Sequence, residues 1–305
     1  RYMELRRRLM GLDDLHVYDT YAPLVPQADV AVPYPEAREI VSAAFQPLGA
    51  DYATAISSAF GSRWIDVYEN VGKRSGAYHN GAYTTPPFIL LNYQDRMRDV
   101  FTLAHELGHA MHSFFTKRTQ PFVYGSYTIF VAEVASTLNE ALLTDHLLKT
   151  RDDPQLRKQL IVQQLDDIRA TIFRQTMFAE FELDIHRRSE AGEPLTSDAL
   201  NKSYYELVQR YQGPPVTLDY EIAFEWARIP HFYYGFYVYQ YATGLSAALA
   251  LSRQILDEGQ PAVDRYLRFL SSGSSRSSIE LLRGAGVDMT TPAPVQAAME
   301  IDPDA

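Results

Sequence analysis

No cysteine occurs in the chain, so disulfides and thiolate metal sites are excluded, and any zinc has to be held by histidine and carboxylate. Long apolar runs are also missing. None approaches the ~20 residues that a membrane span needs, and residues 1–10 lack the apolar centre of a signal peptide. Positive charge is in deficit, with 28 Lys and Arg against 38 Asp and Glu, a formal charge of −10. That balance argues against nucleic acid or an anionic membrane surface as the main partner. A soluble protein of the cytoplasm is the expectation. Core material is ample, 46% hydrophobic over 305 residues, enough for one large domain or two modest ones.

What the chain does have is Ala-His-Glu-Leu-Gly-His-Ala-Met-His at residues 104–112. On an α-helix, residues four apart lie on one face about 6 Å apart along the axis. His105 and His109 can therefore present two imidazole nitrogens to one zinc ion. Glu106, rotated by roughly 100° on the same helix, reaches a metal-activated water rather than the metal, and serves as general base for attack on a carbonyl. The run 92–116 predicts the helix, with Met97, Phe101, Ala104, Gly108, Met111 and Phe115 as its apolar stripe. The competing reading is a pair of core histidines satisfied by hydrogen bonds.

A catalytic zinc site commonly takes three protein ligands. A second helix is expected over 129–149, where Glu133, Thr137, Glu140 and Thr144 fall on one stripe. Glu133 is the candidate third ligand and Glu140 the candidate partner that orients a ligand histidine; a solvated acidic stripe is the alternative. His112 competes for the ligand position, but it lies seven residues from His105, about 10.5 Å along a helix axis. It is better read as a neighbour of the site or a substrate contact.

Other stretches are less specific. Helices are expected over 36–45 and 51–60, and a short strand over 64–68. Residues 72–83, rich in Gly, Ser and Tyr, and 86–92 read as a strand pair. Its edge at Gly76, Ala77 and Tyr78 could take a peptide by strand addition, or be an ordinary surface hairpin. Residues 154–190 predict a helix long enough to need a kink, and Thr196 caps the next. Residues 231–241 hold His231 and five tyrosines, and both residue types can donate hydrogen bonds to an oxyanion. A buried aromatic stripe is the bland reading there, for Tyr233 and Tyr239 above all. The opening residues read as the last turns of a helix begun earlier, hence a fragment, and 302–305 as a frayed tail.

Four blocks, in order, resemble the oligoendopeptidase F branch of the M3 metallopeptidases, relatives of thimet oligopeptidase. They are residues 72–78 (Gly-Lys-Arg-Ser-Gly-Ala-Tyr), 101–109 with the His-Glu-x-x-His motif, 132–140 (Ala-Glu-Val-Ala-Ser-Thr-Leu-Asn-Glu), and 229–233 through 241–244. The resemblance covers nearly the whole chain, 1–305, as one M3-type catalytic domain. It implies a mainly α, zincin-like (gluzincin) helical fold with a small β-sheet edge beside a substrate channel. It also implies one Zn2+ per chain on His105, His109 and Glu133, with Glu106 as base, and His231 and neighbouring tyrosines facing the substrate. Tyr234, Tyr237 and Tyr241 are the choices, with Tyr241 beside His231 at the oxyanion. Members of the family are longer, with an N-terminal helical region forming the channel's other wall, so that missing half is an expected partner beside short unstructured oligopeptides. The implied activity is zinc-dependent cleavage of internal peptide bonds. A non-catalytic peptide-binding scaffold and a zinc carboxypeptidase are the alternatives.

Overall fold

The computed structural model describes residues 1–26 and 30–300; the tail expected to fray lies outside the described residues. Along the chain the helices are α1 (Tyr2–Met10), α2 (Tyr34–Ala44), α3 (Gly49–Gly61), α4 (Met97–Thr119), α5 (Ile129–Thr150), α6 (Pro154–Asp167), α7 (Arg174–Glu190), α8 (Ser197–Gln212), α9 (Tyr239–Glu258), α10 (Gln260–Leu270), α11 (Ser278–Ala285) and α12 (Ala293–Met299). The strands are short: β1 (Leu15–His16), β2 (Ile65–Asp66), β3 (Tyr78–Asn80), β4 (Phe88–Leu90) and β5 (Val216–Thr217). The fold is mainly α, as expected. It divides into two compact units, Arg1–Ala28 with Pro154–Ala242 and Asp29–Asp153 with Thr243–Ala305.

In the first unit, the helix expected over 154–190 is interrupted by a π-helical stretch, Ile168–Phe173, between α6 and α7. One wide turn shifts the apolar stripe, so that Met177, Phe178 and Phe181 join Tyr204, Leu207, Val208, Ile229 and Val238 in a core. Beside that core, buried Glu225 accepts hydrogen bonds from Arg174 Nη2 and the Tyr204 hydroxyl, each at 2.6 Å. Thr196 caps α8 as expected, its hydroxyl accepting the Ala199 N–H. Gly213, at φ +73°, ends it.

The second unit is built around α4 and α5. Helix α4 begins at Met97, the first residue of its apolar stripe and five residues after the start of the run 92–116 expected to be helical. Asp99 accepts the backbone N–H groups of Gln94 (3.0 Å) and Arg96 (3.1 Å), and Asp95 turns left-handed at φ +57° before the first helical residue. A carboxylate in the first turn suits the positive end of the helix dipole. Val100, Leu103 and Leu107 are fully buried, whereas Phe101 is only partly so, because α4 is covered on more than one side. The three-stranded sheet has the order β2-β4-β3, with β2 parallel and β3 antiparallel to the central strand. β3 is therefore an edge, and it packs beside α4.

One buried polar link ties this unit together. The Tyr52 hydroxyl on α3 donates to Asn139 Oδ1 (2.9 Å), and Asn139 Nδ2 donates to the carbonyl of Ala104 on α4 (3.1 Å). Tyr52 and Asn139 are both wholly excluded from solvent. Replacing Asn139 by leucine keeps the volume but strands the tyrosine hydroxyl. Asn139→Leu is expected to lower stability by about 2–3 kcal/mol in a denaturant titration; an unchanged midpoint would show that the link carries no weight.

Candidate metal centre

Three side chains converge where α4 faces α5. His105 and His109 lie one turn apart on α4, and Glu133 comes from the first turns of α5. His105 Nε2 and His109 Nε2 are 3.2 Å apart, and Glu133 Oε2 is 3.4 Å from the first and 3.5 Å from the second. Among the described residues this is the group able to hold a metal ion. The spacing can be tested against coordination geometry. Ligands about 2.0–2.1 Å from a tetrahedral ion are about 3.3–3.4 Å from one another. The three distances match that edge, so the donor set fits a divalent metal.

This convergence depends on Gly108, the residue before His109. A Cβ added there would lie 2.5 Å from the Ala135 carbonyl oxygen and 2.6 Å from Ser136 Cα. Contacts that short are not tolerated, so only glycine lets the α5 backbone come this close. Glu133 is held in turn by the Ser136 hydroxyl, which donates to its Oε2 at 2.8 Å. Glu140, two turns further along α5, hydrogen-bonds His105 Nδ1, which leaves Nε2 as the nitrogen free to bind a metal.

Glu106 is buried, at 6% exposure, and its Oε2 has no hydrogen-bond partner. Burial pushes its carboxyl up to about 7; the His105 charge opposes this, and the Glu133 and Glu140 carboxylates add to it. The backbone N–H of His79 donates to the same carboxylate. A dication on the neighbouring ligands would draw Glu106 back towards ionisation, which a base requires. His109 is pushed down to about 4 by burial and by the charge of His105, so it stands neutral, as a ligand must. His105 is raised: burial works against protonation, but the hydrogen bond and charge of Glu140, with Glu133 and Glu106, outweigh it. Three carboxylates around two imidazoles make a potential that favours a cation.

The other expected residues fall in different places. His112, expected as a neighbour of the site or a substrate contact, lies on the buried side of α4. Its ring is 1% exposed and lies flat on Tyr127, centroids 3.7 Å apart, and the Tyr127 hydroxyl donates to the His109 carbonyl (3.3 Å). It braces the ligand-bearing turn from behind. Gly76, Ala77 and Tyr78 lie at and just before the β3 edge, where Asn92 Nδ2 donates to the Arg74 (2.9 Å) and Gly76 (2.8 Å) carbonyls. In the first unit, His231 is ringed by tyrosines. Tyr241 Oη is 3.3 Å from its Nε2, and the Tyr234 and Tyr237 rings lie 6.2 and 5.7 Å away. Tyr233 is 81% exposed and Tyr239 38%, so neither belongs to a buried stripe; the segment 230–233 is a 3-10 turn rather than a helix face.

Sequence reasoning missed His79, which packs against His109 (ring centroids 6.3 Å) and whose Nε2 is buried without a partner. The available signal was its position two residues after Ala77, which on a strand puts both side chains on one face. It also missed the steric role of Gly108.

Two expectations follow for the metal. Gly108→Ala forces α4 and α5 apart, and should destabilise the protein by about 1–3 kcal/mol while weakening metal binding at least tenfold. Glu140→Gln should lower metal affinity by about 10–100-fold with little change in folding, measured by competition with a chromogenic chelator.

The chain is similar to known proteins in both sequence and fold. The pattern of peptidase family M3 matches residues 1–301. Oligopeptidase PepF of Bacillus subtilis (strain 168) is 52% identical over 301 residues, 99% of this chain and 45% of that protein. An oligoendopeptidase F homolog of Lactococcus lactis subsp. lactis (strain IL1403) is 46% identical over 301 residues, 99% of this chain and 50% of its own. The crystal structure of oligoendopeptidase-F from Enterococcus faecium superposes with a TM-score of 0.76 at 40% identity, covering 98% of this chain and 46% of that one. A crystal structure of a Chlamydophila abortus protein reaches 0.92 at 44% identity, covering 98% and 50%. The chain thus spans about half the length of the curated relatives it matches. With its family pattern running from residue 1 to residue 301 and a relative more than half identical to it, the chain belongs to peptidase family M3.

Proposed function

We propose that this chain is the catalytic part of a zinc-dependent oligopeptidase that hydrolyses internal bonds of short, unstructured peptides. The observation that carries this reading is the tetrahedral spacing of the His105, His109 and Glu133 donor atoms next to a buried Glu106 oxygen with no other partner. Zinc, when bound, supplies Lewis-acid activation of water and of the scissile carbonyl. His105, His109 and Glu133 hold it, and Glu140 fixes the tautomer and tilt of His105. Glu106 takes a proton from the attacking water and delivers it to the leaving amine. His231 and Tyr241, which already share a hydrogen bond, donate to the oxyanion of the tetrahedral intermediate. The β3 edge after Gly76 and Ala77 offers main-chain groups to an extended peptide irrespective of its side chains. A region equivalent to the other half of the relatives would complete the peptide channel, as a partner or as part of the same protein.

Glu106→Gln is expected to keep one zinc per chain and lose about 10²–10⁴-fold in kcat. Near-normal cleavage by that variant would remove Glu106 from the role of base. The wider test is mass spectrometry of mixed-length peptides incubated with the chain, with and without chelator. Internal cuts that vanish with chelator and return with zinc support the proposal. Peptide affinity without products, unaffected by chelation, would mark a binding scaffold. Loss of cleavage on C-terminally amidated peptides alone would mark a carboxypeptidase.

A further inference from the structure

His231, Tyr234, Tyr237 and Tyr241 form a closed ring of rings. Successive centroids are 6.2, 5.9 and 5.6 Å apart, and the last closes back on His231 at 5.9 Å. Between Tyr234 and Tyr237 the chain bends at Gly235 and Phe236, at φ +60° and +53°. Glycine takes that left-handed conformation freely, but phenylalanine does so against the clash of its Cβ with the backbone. A strained residue persists only where its surroundings over-determine it.

Helix α7 supplies that restraint from two successive turns. Glu182, 1% exposed, accepts the Phe236 backbone N–H on Oε1 at 2.6 Å. Its other oxygen, Oε2, is buried with no hydrogen-bond partner. Four residues on, the His186 ring lies against the Phe236 ring, centroids 4.5 Å apart and planes at 32°. A buried carboxylate with one oxygen unsatisfied is unfavourable for folding alone, since an apolar side chain would pack in its place without that cost. What it provides is a strong acceptor for one amide N–H at a strained turn. The flanks of the segment are fixed separately, by Ile229 and Val238 in the core of the first unit. The turn itself depends on α7.

We infer that Glu182 is a positioning residue: it holds the Gly235–Phe236 turn and thereby sets the arrangement of His231, Tyr234, Tyr237 and Tyr241. The inference rests on the proposal above that His231 and Tyr241 act on the oxyanion.

The test compares Glu182→Leu, which removes the acceptor at similar volume, with Glu182→Gln, which keeps an acceptor oxygen. Both are measured as the zinc-loaded full chain, next to His231→Ala. In Glu182→Leu the Phe236 amide should exchange hydrogen at least about tenfold faster than in the parent. Its kcat should fall about tenfold, with zinc content unchanged. Glu182→Gln should restore both readouts to within about threefold of the parent. If Glu182→Leu does not fold, Glu182→Asp, one methylene short of the amide, carries the same expectation. If the chain turns over no peptide by itself, affinity for a phosphinic peptide, a stable mimic of the oxyanion, replaces kcat. Unchanged amide exchange would overturn the anchor. Faster exchange with unchanged kcat, while His231→Ala is impaired, would overturn the positioning role and leave the oxyanion proposal standing. An unimpaired His231→Ala would overturn the oxyanion proposal, and the positioning role with it.

Discussion

The metal centre depends on how closely two helix backbones can approach. At Gly108 there is no room between α4 and α5 for even a methyl group. That contact sets the distance from the His105–His109 face to the first turns of α5, and so decides whether Glu133 reaches the two imidazoles. A separation larger by the thickness of one methyl group would leave a pair of histidines and a carboxylate that share no ion. The buried chain from Tyr52 through Asn139 to the Ala104 carbonyl acts one residue before His105 and locks the same interface in rotation. Steric contact fixes the distance, and hydrogen bonds fix the angle.

Around that contact, burial and charge divide the work. Three histidines near the centre have their own supports: Glu140 for His105, the Tyr127 hydroxyl at the His109 carbonyl, and the flat stack on Tyr127 for His112. Burial keeps His109, His79 and His112 neutral, with values pushed down to about 4, 4 and 3. Meanwhile buried Glu106 and the half-buried Glu133 and Glu140 bring three carboxyl groups together, for which a dication is an effective counter-charge. The same burial that raises Glu106 makes it responsive to a cation next to it. The first unit repeats the pattern in a different place: a carboxylate on a long helix, Glu182, holds a strained loop that displays His231 and its tyrosines.

Much of the site was legible from local pattern. The i, i+4 histidines, the intervening glutamate and the acidic stripe on the next helix are helix-surface relations, and helical periodicity reaches them without knowledge of neighbours. Glu133 and Glu140 were separable from a solvated stripe only by assuming that α5 meets α4. His112 shows the same limit. Sharing the helix with the ligands placed it near the site, but Tyr127, on a loop, decided that its ring is buried in a stack. His79 was invisible because a three-residue strand carries too little periodicity to show which face a single histidine takes. Helix α4 starts at Met97, where its apolar stripe starts, and not at residue 92, because Asp99 and the left-handed Asp95 fix an irregular backbone before it.

By itself, the sequence determined chemistry that local geometry can express. The absence of cysteine restricted a metal site to histidine and carboxylate, and the four-residue spacing put two of those ligands and a base on one helix. Tertiary structure alone decided what depends on contacts between distant segments: the 3.2–3.5 Å spacing of the donor atoms, the free oxygen of Glu106, and the grip of Glu182 on Phe236. The physical reason is range. Periodicity reports which residues share a face over a few turns, whereas a metal site also requires two faces to meet within a few tenths of an ångström, and close packing between elements far apart in the chain supplies that precision.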